Sequence, residues 1–338
     1  MTKIAILGAG SWGTALAVLM TRTKKAHEIS LWAHSAALAA AIERQRENPT
    51  YLPGISLPPL IQVVHDLSLA MERARLIIGA IPSLYAREIY SQALPFIKPE
   101  MEFVSATKGL EPSTRLRMSA VLGQMLKQES ANAAAQRIAV LSGPSFAAEA
   151  ARGEPTAVVL ASQNAALAAE LQDEFAGPTF RLYTNEDVLG VELAGAMKNV
   201  MAIAAGACQG LGLGSNPLAA LITRGLAEMT RLAVALGARR ETLSGLAGLG
   251  DLVLTCTGAL SRNRHVGIEL GKGRQLSEIL ANMRMVAEGV KTTAPLLALA
   301  REHQIDMPIT EQVDAILHLG KTPKEAIRDI MERPLKRE

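Results

Sequence analysis

The chain has 338 residues, of which 49% are hydrophobic and 20% are charged, a size and balance typical of a globular protein with about two domains. A net charge of +3 and an aromatic content of 3% argue against nucleic acid as a partner. Nucleic-acid-binding proteins need a basic surface and aromatic side chains on which bases stack. Cys208 and Cys256 form neither a CxxC pair nor a metal-ligand spacing, so we expect free thiols in a reducing compartment and no metal site.

The N-terminus is already the first predicted strand, so we expect no signal peptide. We also expect no transmembrane segment, because the longest apolar stretch, residues 188–213, is interrupted by Glu192, Lys198, Asn199 and several glycines. Both observations favour a cytoplasmic protein.

Residues 3–7 form an apolar run that leads directly into a glycine turn and then into a predicted helix at residues 14–20. The turn, Gly8-Ala9-Gly10-Ser11-Trp12-Gly13, is the GxGxxG fingerprint in the strand–turn–helix context of a dinucleotide site. Gly8 permits the tight turn, Gly10 lets the backbone approach a pyrophosphate, and Gly13 lets the helix pack close to the strand. The start of the helix offers free N–H groups to the phosphates. The alternative is a glycine-rich turn that binds no ligand.

The first half of the chain alternates predicted strands and helices. Further strands are predicted at residues 29–33, 61–64, 76–81, 102–106, 138–141, 156–160 and 180–183, with helices between them, for example at residues 84–94 and 113–128. Several of the strands are continuous apolar runs, which are typical of strands covered on both faces. The pattern predicts a doubly wound, Rossmann-type sheet with right-handed crossovers.

Near Asn185 the strand signals almost disappear, and long Ala/Leu/Met-rich helices follow to the end of the chain. Asn185 is a suitable N-cap, with Glu186 and Asp187 in an acidic first turn. We therefore predict an α/β protein with two domains. Residues 1–185 form an NAD(P)-binding Rossmann domain, and residues 186–338 form an all-α domain for substrate binding and catalysis.

The residues around the second strand bear on the choice of dinucleotide. An NAD-specific site usually has Asp or Glu at the C-terminal end of this strand, on the ribose hydroxyl. Glu28 follows Gly8 at a suitable number of residues along the sequence, but it precedes the apolar run and so lies at the wrong end of the second strand. Ala33, His34 and Ser35 follow the run without a carboxylate that would repel a 2′-phosphate, so we infer that NADPH is usable. His34 either contacts the phosphate or adenine, or is a surface loop residue.

Lys198 and Asn199 lie in the middle of a helix-like segment that is apolar almost all round. A buried lysine is costly unless it has a partner or a function. The small neighbours at residues 194–196 leave room for a ligand or for a close helix. The residues alone leave two interpretations open, a functional lysine or one whose amine reaches the surface.

Two turns follow predicted strands at the sheet edge where parallel sheets bind ligands. Lys108 follows one strand and suits an anion or a carbonyl oxygen. In the other turn, Gly143 permits close approach and Ser145 can cap a helix or bind a ligand. An ordinary loop lysine and a plain N-capped turn are the alternatives.

In the second half, Asp251 places a carboxylate after the glycines of residues 248–250. Ser261 is a suitable N-cap, and Arg262 and Asn263 lie in the first turn of the following helix. Basic residues there oppose the helix dipole, whereas a guanidinium and free N–H groups suit a phosphate. We therefore predict an anion site at this helix start.

Taken in order, these segments resemble those of the bacterial NAD(P)-dependent glycerol-3-phosphate dehydrogenases. The matching segments are residues 8–13, 48–54, 106–109, 141–147, 192–199, 248–252, 261–263 and 288–289, which span nearly the whole chain. The resemblance implies hydride transfer between NAD or NADP and a small phosphorylated substrate, interconverting sn-glycerol 3-phosphate and dihydroxyacetone phosphate. It also implies a supply of glycerol 3-phosphate for phospholipid synthesis, and a homodimer.

The resemblance further implies roles for individual residues. The implied cofactor contacts are Gly8, Gly10, Ser11, Trp12, Gly13, His34, Tyr51, Lys108, Ala147, Arg262, Val286 and Glu288. The implied substrate contacts are Lys108, Gly143, Ser145, Lys198, Asn199, Asp251, Thr255, Ser261, Arg262 and Asn263. Among these, Lys198 matches the proton acceptor of the family.

Two other functions are alternatives at this point. A dehydrogenase of the same architecture could act on a β-hydroxy acid or on ketopantoate, although the segment at residues 261–263 and the unbroken order of motifs argue against it. A non-catalytic NADP(H) sensor would keep the glycines and have no need for Lys198, Lys108 and Asp251.

Overall fold

A computed structural model describes residues 1–126, 134–283, 285–335 and 337. The chain forms two compact units. Unit 1 comprises residues 1–111 and 116–192, and unit 2 comprises residues 112–115 and 193–338. The assignment of cofactor binding to the first half of the chain and of catalysis to the second half stays a prediction.

Unit 1 is built on one large sheet and a small hairpin. The strands are β1 (Thr2–Leu7), β2 (His27–Trp32), β3 (Glu47–Asn48), β4 (Leu52–Ser56), β5 (Ile61–Val64), β6 (Leu76–Gly79), β7 (Glu102–Ser105), β8 (Ile138–Ser142), β9 (Thr156–Ala161) and β10 (Phe180–Asn185). The large sheet has eight strands in the order β10-β9-β8-β7-β6-β1-β2-β5. Because β1 lies between β2 and β6, the strand order reverses at β1. The predicted doubly wound, Rossmann-type sheet is therefore confirmed, whereas the β3–β4 hairpin was not predicted.

Strands β8 and β9 run antiparallel to each other, while the other neighbours in this sheet are parallel. The connection between these two strands contains a helix of only six residues, Ala147–Arg152. Such a helix rises about 9 Å, which is too short to lead the chain back along a five-residue strand of about 17 Å. The expectation of parallel crossovers is wrong at this pair.

The large sheet is covered on both faces, as the continuous apolar runs predicted. In β1, Ile4 and Ile6 point into one hydrophobic cluster. Ala5 and Leu7 point into the other, on the opposite face. All four side chains are fully buried, so the sheet is the middle layer of unit 1.

The helices of unit 1 are α1 (Ser11–Met20), α2 (Ala36–Gln45), α3 (Leu67–Met71), α4 (Ala86–Ala93), α5 (Met118–Met125), α6 (Ala147–Arg152) and α7 (Ala165–Phe175). The helix predicted at residues 84–94 is α4 with a 3₁₀ turn at each end. The helix predicted at residues 113–128 begins only at Met118, because Arg117 forms a β-bridge with Leu110. Its predicted end, Gln128, lies outside the described residues.

Unit 2 is helical, and the residues described in it form no named strand, so the predicted all-α second half is confirmed. Helix α8 (Val188–Gly210) begins in unit 1 and continues into unit 2. The other helices are α9 (Ser215–Ala235), α10 (Arg240–Ser244), α11 (Asp251–Thr257), α12 (Arg262–Gly271), α13 (Leu276–Ala281), α14 (Glu288–Glu302), α15 (Pro308–His318) and α16 (Pro323–Met331), with a π-helical turn at Leu246–Gly250.

Helix α8 is the one described helix that is long and apolar enough, by length and composition, to cross a membrane. The prediction that no apolar stretch is long enough to cross a membrane is therefore wrong for α8, judged by length and composition alone. In the protein, 94% of its most apolar window is buried. Burial of this kind is typical of a core helix.

Candidate active site

The three glycines of the first turn differ in the space around them. At Gly8 the backbone has φ +115°, and a Cβ atom would lie 2.6 Å from the carbonyl oxygen of Ala80. A Cβ atom at Gly13 would lie 1.9 Å from the carbonyl oxygen of Gly8, whereas one at Gly10 would meet nothing within 4 Å. Gly8 thus lets the turn approach Ala80, which follows β6, and Gly13 lets α1 pack against the turn that follows β1. Gly10 leaves open space beside the backbone.

The start of α1 offers polar groups beside this turn. Its N-cap residue, Gly10, provides no side-chain cap. The Ser11 hydroxyl donates to the carbonyl oxygen of Tyr51 at 2.6 Å, which brings the β3–β4 hairpin to the turn. The Nε1 atom of Trp12 is buried with no hydrogen-bond partner among the described residues. A helix start without an N-cap side chain favours a bound phosphate, and a bound dinucleotide can also supply a partner for the Trp12 indole N–H.

Strand β2 ends near this turn without a carboxylate. Glu28 lies at the other end of β2, where it is opposite Lys3 in the parallel register and its carboxylate is 3.8 Å from Nζ of that lysine. At the C-terminal end, His34 is exposed and the Ser35 hydroxyl caps α2 by accepting from the Leu38 N–H at 3.4 Å. This placement of Glu28 agrees with the sequence argument.

Lys108 joins the turns that follow β7 and β8. Its Nζ donates to the carbonyl oxygen of Gly143 at 2.8 Å and to the Ser145 hydroxyl at 3.4 Å. Gly143 has φ +130°, and a Cβ atom there would lie 3.1 Å from Cα of Val158. Ala147 begins helix α6 and packs partly against the core. The structure therefore brings together three of the residues predicted to bind substrate.

Lys198 is buried in unit 2 and paired. Its Nζ lies 2.6 Å from Oδ1 of Asp251 and 2.7 Å from Oγ1 of Thr255. Lys198, Asp251 and Thr255 are 6%, 1% and 4% exposed. The interpretation of Lys198 as a surface-reaching lysine is wrong, because its amine is held inside the protein.

The position of Asp251 depends on the π-helical turn just before it. A Cβ atom at Gly248 would lie 2.0 Å from the carbonyl oxygen of Leu243, so only glycine allows the chain to pass there. Such turns are frequent at functional sites.

Burial raises the pKa of the neighbouring Cys256 thiol to about 12, so this cysteine is protonated at neutral pH.

Asn199 and Asn263 also meet in unit 2. The Asn263 amide donates to Oδ1 of Asn199 at 3.0 Å and accepts from the Gly289 N–H at 2.9 Å. Asn199 donates to the carbonyl oxygen of Gly195 at 3.3 Å. These bonds link helices α8, α12 and α14.

The start of α12 presents the predicted anion-binding residues. The Ser261 hydroxyl caps the helix by accepting from the Arg264 N–H at 3.2 Å. Arg262 is exposed, and its Nη1 donates to the carbonyl oxygen of Val286 at 2.8 Å, two residues before Glu288 begins α14. A pocket of about 250 Å³ adjoins these residues, lined by Ala259, Leu260, Ser261, Arg262, His265, Met283 and Met285.

Helices α8 and α12 cross in backbone contact. A Cβ atom at Gly206 would lie 2.0 Å from the carbonyl oxygen of Arg264, and one at Gly267 would lie 2.0 Å from the carbonyl oxygen of Ile203. This crossing holds the helix that starts with Arg262 and Asn263 against the helix that carries Lys198. The glycines that permit it are Gly206, Gly210, Gly267 and Gly271.

Sequence reasoning missed two buried polar residues. Asn48 is fully buried and donates to the carbonyl oxygen of Ala9 at 2.9 Å and to the Thr14 hydroxyl at 2.8 Å, so it braces the glycine turn. Glu192 accepts from the Ser119 N–H at 2.8 Å and from Arg117 Nη1 at 2.6 Å, and so caps α5. The signal for Glu192 was its place in an apolar helix, the same signal that drew attention to Lys198.

No group of three or more potential metal ligands occurs among the described residues.

Comparisons with known proteins cover the whole chain. Residues 3–168 match the family described as NAD-dependent glycerol-3-phosphate dehydrogenase N-terminus, and residues 187–328 match the corresponding C-terminus family. Proteins named glycerol-3-phosphate dehydrogenase [NAD(P)+] from Koribacter versatilis and Acidobacterium capsulatum are 52% and 53% identical to it. The matches cover 99% of this chain and 98% and 99% of the two relatives.

Solved structures give the same result. The crystal structure of glycerol-3-phosphate dehydrogenase from Coxiella burnetii superposes with a TM-score of 0.92 at 42% identity, covering 98% of this chain and 99% of that one. A D-mandelate dehydrogenase and a putative 2-dehydropantoate 2-reductase from Enterococcus faecalis are 12% identical, with TM-scores of 0.62 and 0.55, and share the fold alone. The chain belongs to the NAD-dependent glycerol-3-phosphate dehydrogenase family.

Proposed function

We propose that this chain catalyses the NAD(P)-dependent interconversion of sn-glycerol 3-phosphate and dihydroxyacetone phosphate. The observation that carries the proposal is the buried contact of Lys198 with Asp251 at 2.6 Å and with Thr255 at 2.7 Å, in a chain of this family. A buried charge pair is weak evidence for stability but is a common feature of catalytic sites. A cofactor-binding sensor has no need for it.

The glycine turn fits a bound dinucleotide. Three observations support it: the open space at Gly10, the lack of an N-cap side chain at the start of α1, and the Nε1 of Trp12, which has no partner in the part of the chain that the structure describes. When bound, the nicotinamide accepts or gives a hydride at the secondary carbon of the substrate. The residues proposed to hold the cofactor are Gly8, Gly10, Ser11, Trp12, Gly13, His34, Tyr51, Lys108, Ala147, Arg262, Val286 and Glu288.

Lys198 moves the proton. In the reducing direction its ammonium donates a proton from Nζ to the ketone oxygen, and in the oxidising direction its neutral amine accepts the hydroxyl proton. Thr255 donates its own hydroxyl proton to the carbonyl oxygen of Asp251 at 2.6 Å, so its oxygen lone pairs face Nζ. Asp251 and Thr255 thus hold the amine in one position and stabilise its charged form.

Arg262 binds the phosphate. Its guanidinium has five N–H donors, of which Nη1 supplies one to Val286, and the exposed group adjoins the pocket at the start of α12. A guanidinium matches two phosphate oxygens at once. Fixing the phosphate orients the reacting carbon and so lowers the entropic part of the barrier. The further residues proposed to contact substrate are Lys108, Gly143, Ser145, Asn199, Ser261 and Asn263.

NADPH serves as a cofactor beside NADH, because Ala33, His34 and Ser35 present no carboxylate to a 2′-phosphate. The enzyme works in the cytoplasm as a homodimer, as the family resemblance implies. There it supplies glycerol 3-phosphate for phospholipid synthesis.

A spectrophotometric assay tests this function. The purified chain should oxidise NADH and NADPH in the presence of dihydroxyacetone phosphate, and should reduce neither NAD⁺ nor NADP⁺ with 3-hydroxyisobutyrate. Absence of turnover with dihydroxyacetone phosphate and both cofactors would overturn the proposal. A strong preference for NADH would overturn only the inference about NADPH.

Two substitutions of Lys198 test its role. Lys198→Ala should lower kcat by a factor on the order of 100 or more while cofactor binding is unchanged. Because that change also removes the positive charge beside the buried Asp251, Lys198→Arg is the matched variant that retains the charge. Arginine retains the charge but does not release its proton near neutral pH, so it should lose turnover as well. An active Lys198→Arg enzyme contradicts proton transfer by this residue.

A further inference from the structure

The β3–β4 hairpin reaches the glycine turn through one fully buried side chain, that of Asn48. Its Nδ2 atom donates to the carbonyl oxygen of Ala9 at 2.9 Å and to Oγ1 of Thr14 at 2.8 Å. Its Oδ1 atom accepts from the backbone N–H of Tyr51 at 3.1 Å. Asn48 therefore joins the hairpin both to the turn itself and to the first turn of helix α1.

The partners of Asn48 fix the orientation of its carboxamide. The Tyr51 N–H can only donate, and the Ala9 carbonyl can only accept. Half a rotation of the carboxamide would set the Asn48 oxygen against the Ala9 oxygen and leave buried groups without partners, which is strongly disfavoured. Because Asn48 is fully buried and both of its polar atoms are engaged within the protein, it can act on a ligand only through the turn.

The bond to Ala9 also determines which way the next amide faces. The described residues contain no cis peptide bond, so the Ala9 carbonyl and the Gly10 N–H point in opposite directions from one planar peptide group. Holding the carbonyl toward Asn48 turns the Gly10 N–H away from the hairpin. Reversal of this peptide would place a carbonyl oxygen where the N–H now lies, and a pyrophosphate is bound by N–H donors and repelled by a carbonyl oxygen.

The hairpin that carries Asn48 is anchored independently of the glycine turn. Arg46, which directly precedes β3, donates from Nη2 to the carbonyl oxygens of Pro58 at 2.6 Å and Ile61 at 2.9 Å. The Leu57 N–H donates in turn to the carbonyl oxygen of Arg46 at 2.7 Å, so the two ends of the hairpin are tied together. The position of Asn48 is thus set by the fold of unit 1 and does not depend on a bound ligand.

We propose that Asn48 is a positioning residue for the dinucleotide, which acts by holding the peptide between Ala9 and Gly10 with its N–H facing away from the hairpin. The turn then has its binding conformation before the pyrophosphate arrives, so little binding energy is lost in ordering it. The inference rests on the proposed function, in which the glycine turn holds NAD or NADP. It adds a residue to which the family resemblance assigns no role.

Substitution of Asn48 by alanine separates positioning of the cofactor from a general structural role. Asn48→Ala removes the bond to Ala9, and we expect the Kd of NADH to rise about 10–100-fold in a fluorescence titration. At saturating NADH and dihydroxyacetone phosphate, kcat should fall by less than about twofold, because Lys198 and its partners are unchanged. A Kd within about twofold of wild type, or a fall of kcat that parallels the rise in Kd, would overturn the proposal.

Asn48→Asp tests whether charge could produce the same result. Aspartate retains an oxygen for the Tyr51 N–H, but it cannot donate to Ala9 and adds a negative charge near the turn. It should weaken NADH binding at least as much as alanine does. A loss confined to Asn48→Asp would indicate charge repulsion and would overturn the positioning role.

Asn164→Ala is the matched control, because Asn164 also makes three hydrogen bonds in unit 1. As the N-cap of α7, it accepts from the Ala166 N–H at 3.1 Å and from the Leu167 N–H at 3.2 Å. It also donates to the carbonyl oxygen of Gln136 at 3.0 Å. Loss of these bonds should lower Tm and leave the Kd of NADH unchanged. An equal rise in Kd in both alanine variants would assign the effect to lost stability and overturn the proposal.

Hydrogen exchange gives a readout that needs neither activity nor a variant. Both Nδ2 hydrogens of Asn48 are bonded, so in the wild type they should exchange with solvent far more slowly than those of an exposed carboxamide. Exchange as fast as that of an exposed carboxamide would overturn the proposal even if the variants fail to fold. A wild type that binds NADH without reducing dihydroxyacetone phosphate would reject the proposed reaction, while the titration and the exchange would still decide the role of Asn48.

Discussion

Replacing Gly267 by alanine should weaken the crossing of α8 and α12. The new Cβ atom would lie 2.0 Å from the carbonyl oxygen of Ile203, 2.8 Å from the amide nitrogen of Ala207 and 2.9 Å from Cα of Gly206. All of these neighbours are backbone atoms, so no side-chain rotation relieves the clash and the helices must move apart. Overpacking of this kind typically costs about 1–3 kcal/mol, and alanine recovers about 1 kcal/mol in helix propensity. Since a 2.0 Å approach is severe, we expect a net loss of about 2 kcal/mol in unfolding free energy.

Gly123→Ala in helix α5 is the matched control, because a Cβ atom at Gly123 would meet nothing within 4 Å. There the same substitution should stabilise the protein by about 0.5–1 kcal/mol. Thermal unfolding followed by circular dichroism should show a Tm lower by roughly 4–8 °C for Gly267→Ala and slightly higher for Gly123→Ala. The Gly267 variant should also lose turnover, because α12 begins with Arg262. Equal stability of the two variants would refute the argument from the helix crossing.

Two further predictions concern Arg262 and Glu228. Arg262→Ala should raise KM for dihydroxyacetone phosphate about 10–100-fold through the loss of charge-assisted hydrogen bonds. An equal loss with unphosphorylated dihydroxyacetone would indicate misfolding instead. Burial raises the pKa of Glu228 from 4.5 to about 7, although its carboxylate accepts from the Ile309 N–H at 2.6 Å. At this residue the folded state then binds more protons than the unfolded state, so the contribution of Glu228 to stability is fully present below pH 4.5 and is lost as the pH rises through 7. Urea unfolding at pH 5 and pH 8 should differ by up to about 3 kcal/mol in the wild type and much less in Glu228→Gln; an equal pH dependence in both would contradict this assignment.

The sheet could be predicted from the sequence because strands buried on both faces are apolar at every position. Residues 76–81 and 138–141 stand out for this reason and correspond to β6 and β8. The direction of β9 could not be predicted, because a strand has the same apolar pattern in either direction. It depends on the connection before it, whose helix Ala147–Arg152 is too short for a parallel crossover.

For the candidate site, the sequence drew attention to single residues but did not predict their hydrogen-bond partners. Lys198 drew attention because an amine is costly in an apolar helix, but its contact with Asp251 joins positions 53 residues apart. Asn199 and Asn263 are 64 residues apart, and nothing local to either predicts that they share a hydrogen bond. Such pairings depend on how closely the helices approach, which the glycines of α8 and α12 set through tertiary packing rather than through local conformation.

The polar residues of α8 are buried in an otherwise apolar helix, and each is held by a partner on another helix. Each of three buried polar side chains has its own partner: Glu192 bonds Ser119, Lys198 bonds Asp251, and Asn199 bonds Asn263. Buried polar groups without such partners would destabilise the fold. The three pairs join α8 to α5, α11 and α12 in turn, so the residues that distinguish α8 from a membrane span are also those that fix its rotation. Because that rotation sets the direction of the Lys198 side chain, the same contacts that satisfy the buried polar groups of the helix also place the proposed proton donor.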